Sequence, residues 1–209
     1  MTVDGRNGTS CAPCSCSCQR HAKMPLHRLF NLSKISKEPG TLSDDKTRYG
    51  RIEIAKQAHN FSIGHFTIFS ATDRENLHGH NLQLVCEVTA PVGDNGLLFD
   101  YGILKRLMQQ MCDEIDEQVV LPTESPFLDI EELDGYIVAV FNGERLPFLP
   151  RDVTLLPLRN SSVEEFSWFF LNRIRAHPDL ADQGIIELIV KVSSSPGQFG
   201  TARWISDEA

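Results

Sequence analysis

From about residue 51 onward, alternating apolar and polar positions divide the chain into elements. In AHNFSIGHFTIF, His59, Phe61, Ile63 and His65 share one parity, which predicts a strand. After the turn ATDREN comes a longer alternation. His78, His80, Leu82, Leu84, Cys86 and Val88 fall on one face, and Asn81, Gln83, Glu87 and Thr89 on the other. So short a turn predicts that the two strands pair antiparallel. GDNG then breaks the pattern, and the period changes to that of a helix. Ile103, Leu104, Leu107, Met108, Met111, Cys112 and Ile115 form its apolar stripe, with Asp100 placed to cap it. In YIVAVFNGERLPF, Asn142-Gly143 predicts a tight hairpin between two short strands. Ser162-Val163-Glu164-Glu165 reads as a capping box that opens a second helix. Phe166, Phe169, Phe170 and Ile174 make its stripe, and Pro178 stops it. IIELIVKVSSS predicts a strand with Ile186, Leu188, Val190 and Val192 on one face, followed by a short final strand near 202–205. The expected fold class is α+β, with a mostly antiparallel sheet covered on one face by two helices.

Residues 1–48 lack any sustained period and are expected to form a disordered extension before a single domain at 49–207. CAPCSCSC places Cys11, Cys14, Cys16 and Cys18 close together, with His21 behind them. A soft-metal site is conceivable in such a segment, but all four thiols share one short polar stretch, so the reading taken is a tail. Cys86 and Cys112 lie on apolar faces and are expected to be core thiols. Of the 209 residues, 28 are acidic and 20 basic, a formal charge of −8. That balance argues against a nucleic-acid surface or a polybasic membrane patch. No apolar run approaches the roughly 20 residues of a membrane span, and the expected location is the cytoplasm.

The chemistry concentrates in the first two strands. Residues i and i+2 of a strand project from one face, so His78 and His80 stand side by side, roughly 7 Å apart at Cα. Gly79 between them permits close approach of another chain segment. If the turn pairs the strands, His65 reaches the same pocket. Three neutral imidazoles with one open position are the arrangement of catalytic zinc, which acidifies a bound hydroxyl or polarises a carbonyl. His59 lies about 20 Å back along an extended strand and is excluded.

These residues resemble the 6-pyruvoyl-tetrahydropterin and 6-carboxytetrahydropterin synthase family. The resemblance rests on FSIGH (61–65), LHGHN (77–81), GLLFDYGILK (96–105), ID (115–116) and NSSVEE (160–165), in order over roughly 51–205. It implies the tunnelling fold, assembled into oligomeric barrels that are commonly hexamers, with active sites at subunit interfaces. It also implies Zn2+ on His65, His78 and His80, and a pterin substrate of the 7,8-dihydroneopterin triphosphate class. The chain departs from the family pattern at three positions. Arg74 stands where the family has its catalytic cysteine. Asp116-Glu117 stands where the acid/base pair reads Asp-His. The serines of VSSSPGQ, most nearly Ser194, replace a pterin-anchoring glutamate.

Arginine stays protonated and cannot be the base. The nearest substitute is Glu75, whose carboxylate would gain basicity from a pKa raised in a partly dry pocket. Family members with a glutamate near that place are associated with side-chain cleavage to 6-hydroxymethyl-dihydropterin. Arg74 is then a candidate for holding a substrate phosphate. Asp116 and Glu117 follow Asp113 and Glu114, and such crowding of carboxylates can raise their pKa values and suit them to proton transfer. Ser161 and Ser162 open a helix whose free N–H groups can receive a polar substrate edge, and Ser194 is placed to contact a pterin. The leading expectation is a zinc-dependent lyase of the 6-carboxytetrahydropterin synthase type, with the cleavage reaction next. A non-catalytic relative that binds a small ligand is the contrasting reading.

Overall fold

The computed structural model describes residues 47–207, so the cysteine-rich motif and His21 fall outside the described residues. The elements are β1 (Tyr49–Ile54), β2 (Asn60–His65), β3 (His78–Pro91), α1 (Gly102–Asp113), β4 (Gln118–Pro122), β5 (Asp129–Leu133), β6 (Tyr136–Phe141), β7 (Glu144–Phe148), β8 (Val153–Leu156), α2 (Val163–Arg175), α3 (Pro178–Ala181), β9 (Glu187–Ser195) and β10 (Gln198–Ile205).

The 14-residue β3 is the axis of the large sheet. Its outer half pairs with β1 and its histidine-bearing half with β2, both antiparallel, while β9 covers its other edge. The strand order is β10-β9-β3-β2-β4-β8. One face of this sheet packs Phe61, Leu82, Leu84, Val88 and Val190 against Leu104, Met108 and Met111 of α1 and Phe166, Phe170 and Ile174 of α2. This is the α+β arrangement the periodicity predicts.

At one end the pairing differs from that expectation. β2 pairs with β4 parallel, and β4 with β8 parallel. Element lengths account for it. A strand of β3's length spans roughly 45 Å, and the twelve residues of α1 return only about 18 Å of it. The chain leaves the helix partway down the sheet and continues in the direction it was travelling, alongside β2.

Between β4 and β8 the chain makes a second, three-stranded antiparallel sheet, β5-β6-β7. The predicted hairpin is there, with Asn142 and Gly143 at φ 46° and 80°. Both values are positive, as a two-residue hairpin turn requires. Asp134-Gly135 makes a matching turn at φ 52° and 82°, which adds β5, a strand the sequence reading missed although Asp-Gly is an equally strong turn signal. A small core of Phe66, Ile68, Leu121, Leu128, Ala139 and Phe141 joins this sheet to the segment after β2.

Two predicted caps are modified. Asp100 accepts from the Gly102 N–H at 2.9 Å, but the helix boundary falls after it, at Tyr101. Ser162 accepts from the Glu165 N–H at 3.4 Å, while Glu165 turns away to accept from the Arg159 N–H, so the capping box is only half formed. Among the described residues no helix is long and apolar enough to cross a membrane.

Candidate metal centre

The register of the first hairpin builds the site. His65 lies directly opposite His78, and Ile63 opposite His80. The three imidazoles therefore converge, with ring centroids 4.7–5.3 Å apart. One nitrogen from each lies within 4.8 Å of the others.

Hydrogen bonds fix which nitrogen His65 and His78 offer. His65 Nδ1 meets the Ser161 carbonyl at 2.7 Å, so its proton belongs there and Nε2 carries the lone pair. That Nε2 is buried and has no partner, a costly state for a polar atom unless something cationic completes it. His78 Nδ1 likewise faces the Asn76 carbonyl at 2.8 Å, which leaves its Nε2 as an acceptor 3.1 Å from His80 Nε2. Two ligands held tetrahedrally at zinc-like distances would stand about 3.4 Å apart. The donor set, the orphaned nitrogen and the carbonyl partners on the outer nitrogens all fit a divalent metal. Burial is the main reason the His65 ring is held below its ordinary pKa, against the opposing pull of the Ser161 carbonyl. The neutral, metal-ready form is thereby favoured.

Glu75 lines the same pocket, with Thr67, Ser161, Ser162, Glu164, Ser194 and Gln198. Its Oε2 is 3.9 Å from His78 Nε2 and accepts from the Thr67 N–H at 3.0 Å. The expectation of a raised pKa is corrected. Partial burial pushes the carboxyl up, but hydrogen bonds from the Thr67 hydroxyl and N–H, with a smaller electrostatic influence of the neighbouring His78 and His65, outweigh it and hold Glu75 below the ordinary carboxylate value. Glu75 is thus kept ionised and ready to accept a proton, at the expense of some basicity.

The remaining candidates divide. The Arg74 guanidinium reaches the Glu75 carbonyl and the Glu144 carboxylate at 2.8 and 3.0 Å, and is not among the pocket residues. Holding a phosphate would require those contacts to break. The Ser161 hydroxyl donates to the Val120 carbonyl, so its backbone rather than its side chain serves the site. Ser162 caps α2 at the pocket wall. Asp116 accepts from the Ser62 N–H at 2.6 Å. Glu117, in the left-handed region at φ 58°, donates its N–H to the Ser62 carbonyl and lines an adjoining cleft of about 630 Å³. That cleft shares His80 and Ser194 with the histidine pocket, so the two spaces adjoin. The expected crowding of four carboxylates is relieved, because Asp113 pairs with Gln109 and Glu114 with Arg173, which holds Glu114 below its usual range.

Sequence reasoning missed Thr67 and Asn160. The Asn160 side chain takes the Ile68 N–H, returns its own N–H to the Ile68 carbonyl, and accepts from the Ser161 N–H. It clasps the segment after His65 to the turn that orients His65. Its place in NSSVEE was the available signal.

The sequence pattern of 6-pyruvoyl tetrahydropterin synthase matches residues 53–203. A Methanocaldococcus jannaschii protein named as a 6-carboxy-5,6,7,8-tetrahydropterin synthase is 25% identical over 115 residues, covering 54% of this chain and 70% of that protein. The 6-pyruvoyl tetrahydropterin synthase of Plasmodium vivax superposes with a TM-score of 0.71 at 26% identity, covering 76% of this chain and 99% of that one. The Plasmodium falciparum enzyme does so at 0.71 and 27%, covering 77% and 100%. Two further P. vivax structures replace a catalytic glutamate, by alanine and by cysteine. Residues 53–203 carry the histidine pair, both main helices and the mostly antiparallel sheet of the tunnelling fold, and the chain belongs to the 6-pyruvoyl tetrahydropterin synthase family.

Proposed function

We propose that the chain is a zinc-dependent lyase acting on 7,8-dihydroneopterin triphosphate or a closely related pterin, with Glu75 as its base. The observation that carries this reading is the convergence of a glutamate and three histidines in one pocket. His65, His78 and His80 would hold the metal, whose Lewis acidity polarises oxygens of the substrate side chain when it is bound.

Glu75 takes a proton from a side-chain hydroxyl. The adjacent carbon–carbon bond then breaks as that carbon becomes a carbonyl. Its electron pair passes into the conjugated dihydropterin ring and returns as a new C–H at the carbon left on the ring. Ser162 and Ser194 supply polar contacts to the substrate. Glu117, fixed by the Asp116–Ser62 pairing, carries a proton on the side of the shared cleft. A carboxylate in the place of the base puts this cleavage to a 6-hydroxymethyl-dihydropterin ahead of the 6-carboxytetrahydropterin type, and the P. vivax relative also has a catalytic glutamate. The resemblance further implies a homo-oligomer, whose mass light scattering would measure.

The test incubates zinc-loaded protein with dihydroneopterin triphosphate and identifies products by mass. The expected product is the hydroxymethyl pterin, with kcat lowered about 10²–10⁴-fold in Glu75→Gln at unchanged zinc content. Turnover unaffected by Glu75→Gln removes the base assignment. No turnover with zinc bound would make the chain a non-catalytic relative.

A further inference from the structure

We propose that Arg74 and the β5-β6-β7 sheet together form a positioning device for Glu75, an inference that rests on Glu75 being the base. The segment from Phe66 to Glu75 folds back on itself. The Glu75 N–H bonds the Thr67 carbonyl at 2.9 Å, and the Phe69 and Ser70 N–H groups both bond the Asp73 carbonyl. Ile68 and Arg74 also bridge antiparallel. In such a pairing successive side chains alternate between two sides. Thr67 and Glu75 face the histidine pocket. Phe66, Ile68 and Arg74 face the small sheet.

On that side Arg74 is held by two rings and two acceptors, while its buried Nε has no hydrogen-bond partner. Its guanidinium carbon lies 4.9 Å from the Phe66 ring centre and 5.6 Å from that of Phe141 on β6. One terminal nitrogen bonds Glu144 at the start of β7, and the other bonds the carbonyl of Glu75 itself at 2.8 Å. The Arg74 side chain is 15% exposed, although its partner Glu144 is 66% exposed. A planar, permanently charged guanidinium stacks on rings while its rigid fork aims separate N–H groups at two acceptors, whereas a lysine ammonium is a point charge without that fixed geometry. The small sheet thus grips the backbone of Glu75 from below while Thr67 holds its carboxylate from above. The residue at the position of the family's cysteine acts here as a bolt for its neighbour.

The test compares Arg74→Ala, Arg74→Lys and Glu144→Gln, zinc-loaded, on dihydroneopterin triphosphate. Arg74→Ala is expected to lower kcat about 10- to 100-fold with KM and zinc content retained, because a base displaced by a fraction of an ångström loses rate rather than binding. Arg74→Lys should recover part of the loss. Free guanidinium at low concentration should restore Arg74→Ala, because Phe66, Phe141 and Glu144 still form its cradle, whereas methylammonium should not. Amide exchange at Glu75 should accelerate in Arg74→Ala, a readout independent of turnover. Wild-type kcat and exchange in a folded Arg74→Ala overturn the proposal. If that variant does not fold, Glu144→Gln decides, and an unchanged kcat with unchanged Glu75 exchange overturns it. Normal turnover in Glu75→Gln defeats the base assignment, whereas an inactive Glu75→Gln beside an unaffected Arg74→Ala defeats the bolt alone.

Discussion

His59 shares its strand parity with the metal-site histidines yet serves a different end. It is 2% exposed, and its Nδ1 has no hydrogen-bond partner. Burial first, then the nearby Lys56 charge, holds its pKa below the ordinary 6.5, with the Lys105 charge adding to the effect and a backbone hydrogen bond there opposing it. A histidine kept neutral in the fold takes up its proton more readily when unfolded. Its stabilising effect is full above 6.5 and is lost as pH falls towards the lowered value. The urea midpoint of the metal-free protein should therefore fall between about pH 7.5 and about pH 5.5. The drop should shrink in His59→Leu, and an equal drop in both proteins would discount His59. His65 contributes in the same direction. The three clustered histidines were legible because a period of two is rigid and the hairpin sets His65 opposite His78. Thr67 and Asn160 were not, because they act by bonding backbone that the sequence does not reveal as close; Asn160 reaches Ile68 across 92 residues.

Among the elements, α2 depends on a glycine in another strand. A Cβ on Gly200 would stand 2.3 Å from the Val163 backbone carbon and 2.6 Å from the Glu164 nitrogen. Backbone atoms cannot turn aside as a flexible side chain can, so β10 and the first turn of α2 would have to separate. Gly200→Ala is expected to cost about 1–3 kcal/mol, as over-packing does, measured by urea unfolding. Zinc affinity should weaken too, because Ser161, which orients His65, immediately precedes that turn. A stability within error of the parent would show that the contact relaxes freely. Helix stripes and the Asn142-Gly143 turn were readable from local pattern alone. The parallel β4 and β8 were not, because strand direction there follows from how far α1 travels relative to β3, a property of lengths rather than of residue types.

Across the whole molecule, the open face of the large sheet carries a network of charges. Glu187 accepts from Arg203 and Thr89 and pairs with Arg51, while Glu87 pairs with Arg51 and Lys191. These residues come from β1, β3, β9 and β10, so the network ties four strands. Its hydrogen bond from Arg203 is the leading cause that holds Glu187 below the usual 4.5, with Thr89 and Arg51 adding to it and burial opposing. A depressed carboxylate stabilises the fold above its ordinary pKa, and the effect disappears as pH falls through the lowered value. Acid unfolding below about pH 4.5 should accordingly be gentler in Glu187→Gln. At neutral pH that variant should be less stable by about 1.5–3 kcal/mol, the usual worth of hydrogen bonds to a charged group. A parallel loss at all pH values would assign the effect to packing.

The Ser161 carbonyl that orients His65 lies 96 residues further along the chain. During synthesis the HGH triplet and His65 emerge together, but the group that aims His65 leaves the ribosome much later. A nascent chain can offer histidines to a metal without offering this site. If these histidines hold a metal as proposed, three-ligand capture must wait until the turn before α2 has been made and has docked, and metal loading would report completed long-range folding rather than the appearance of its ligands.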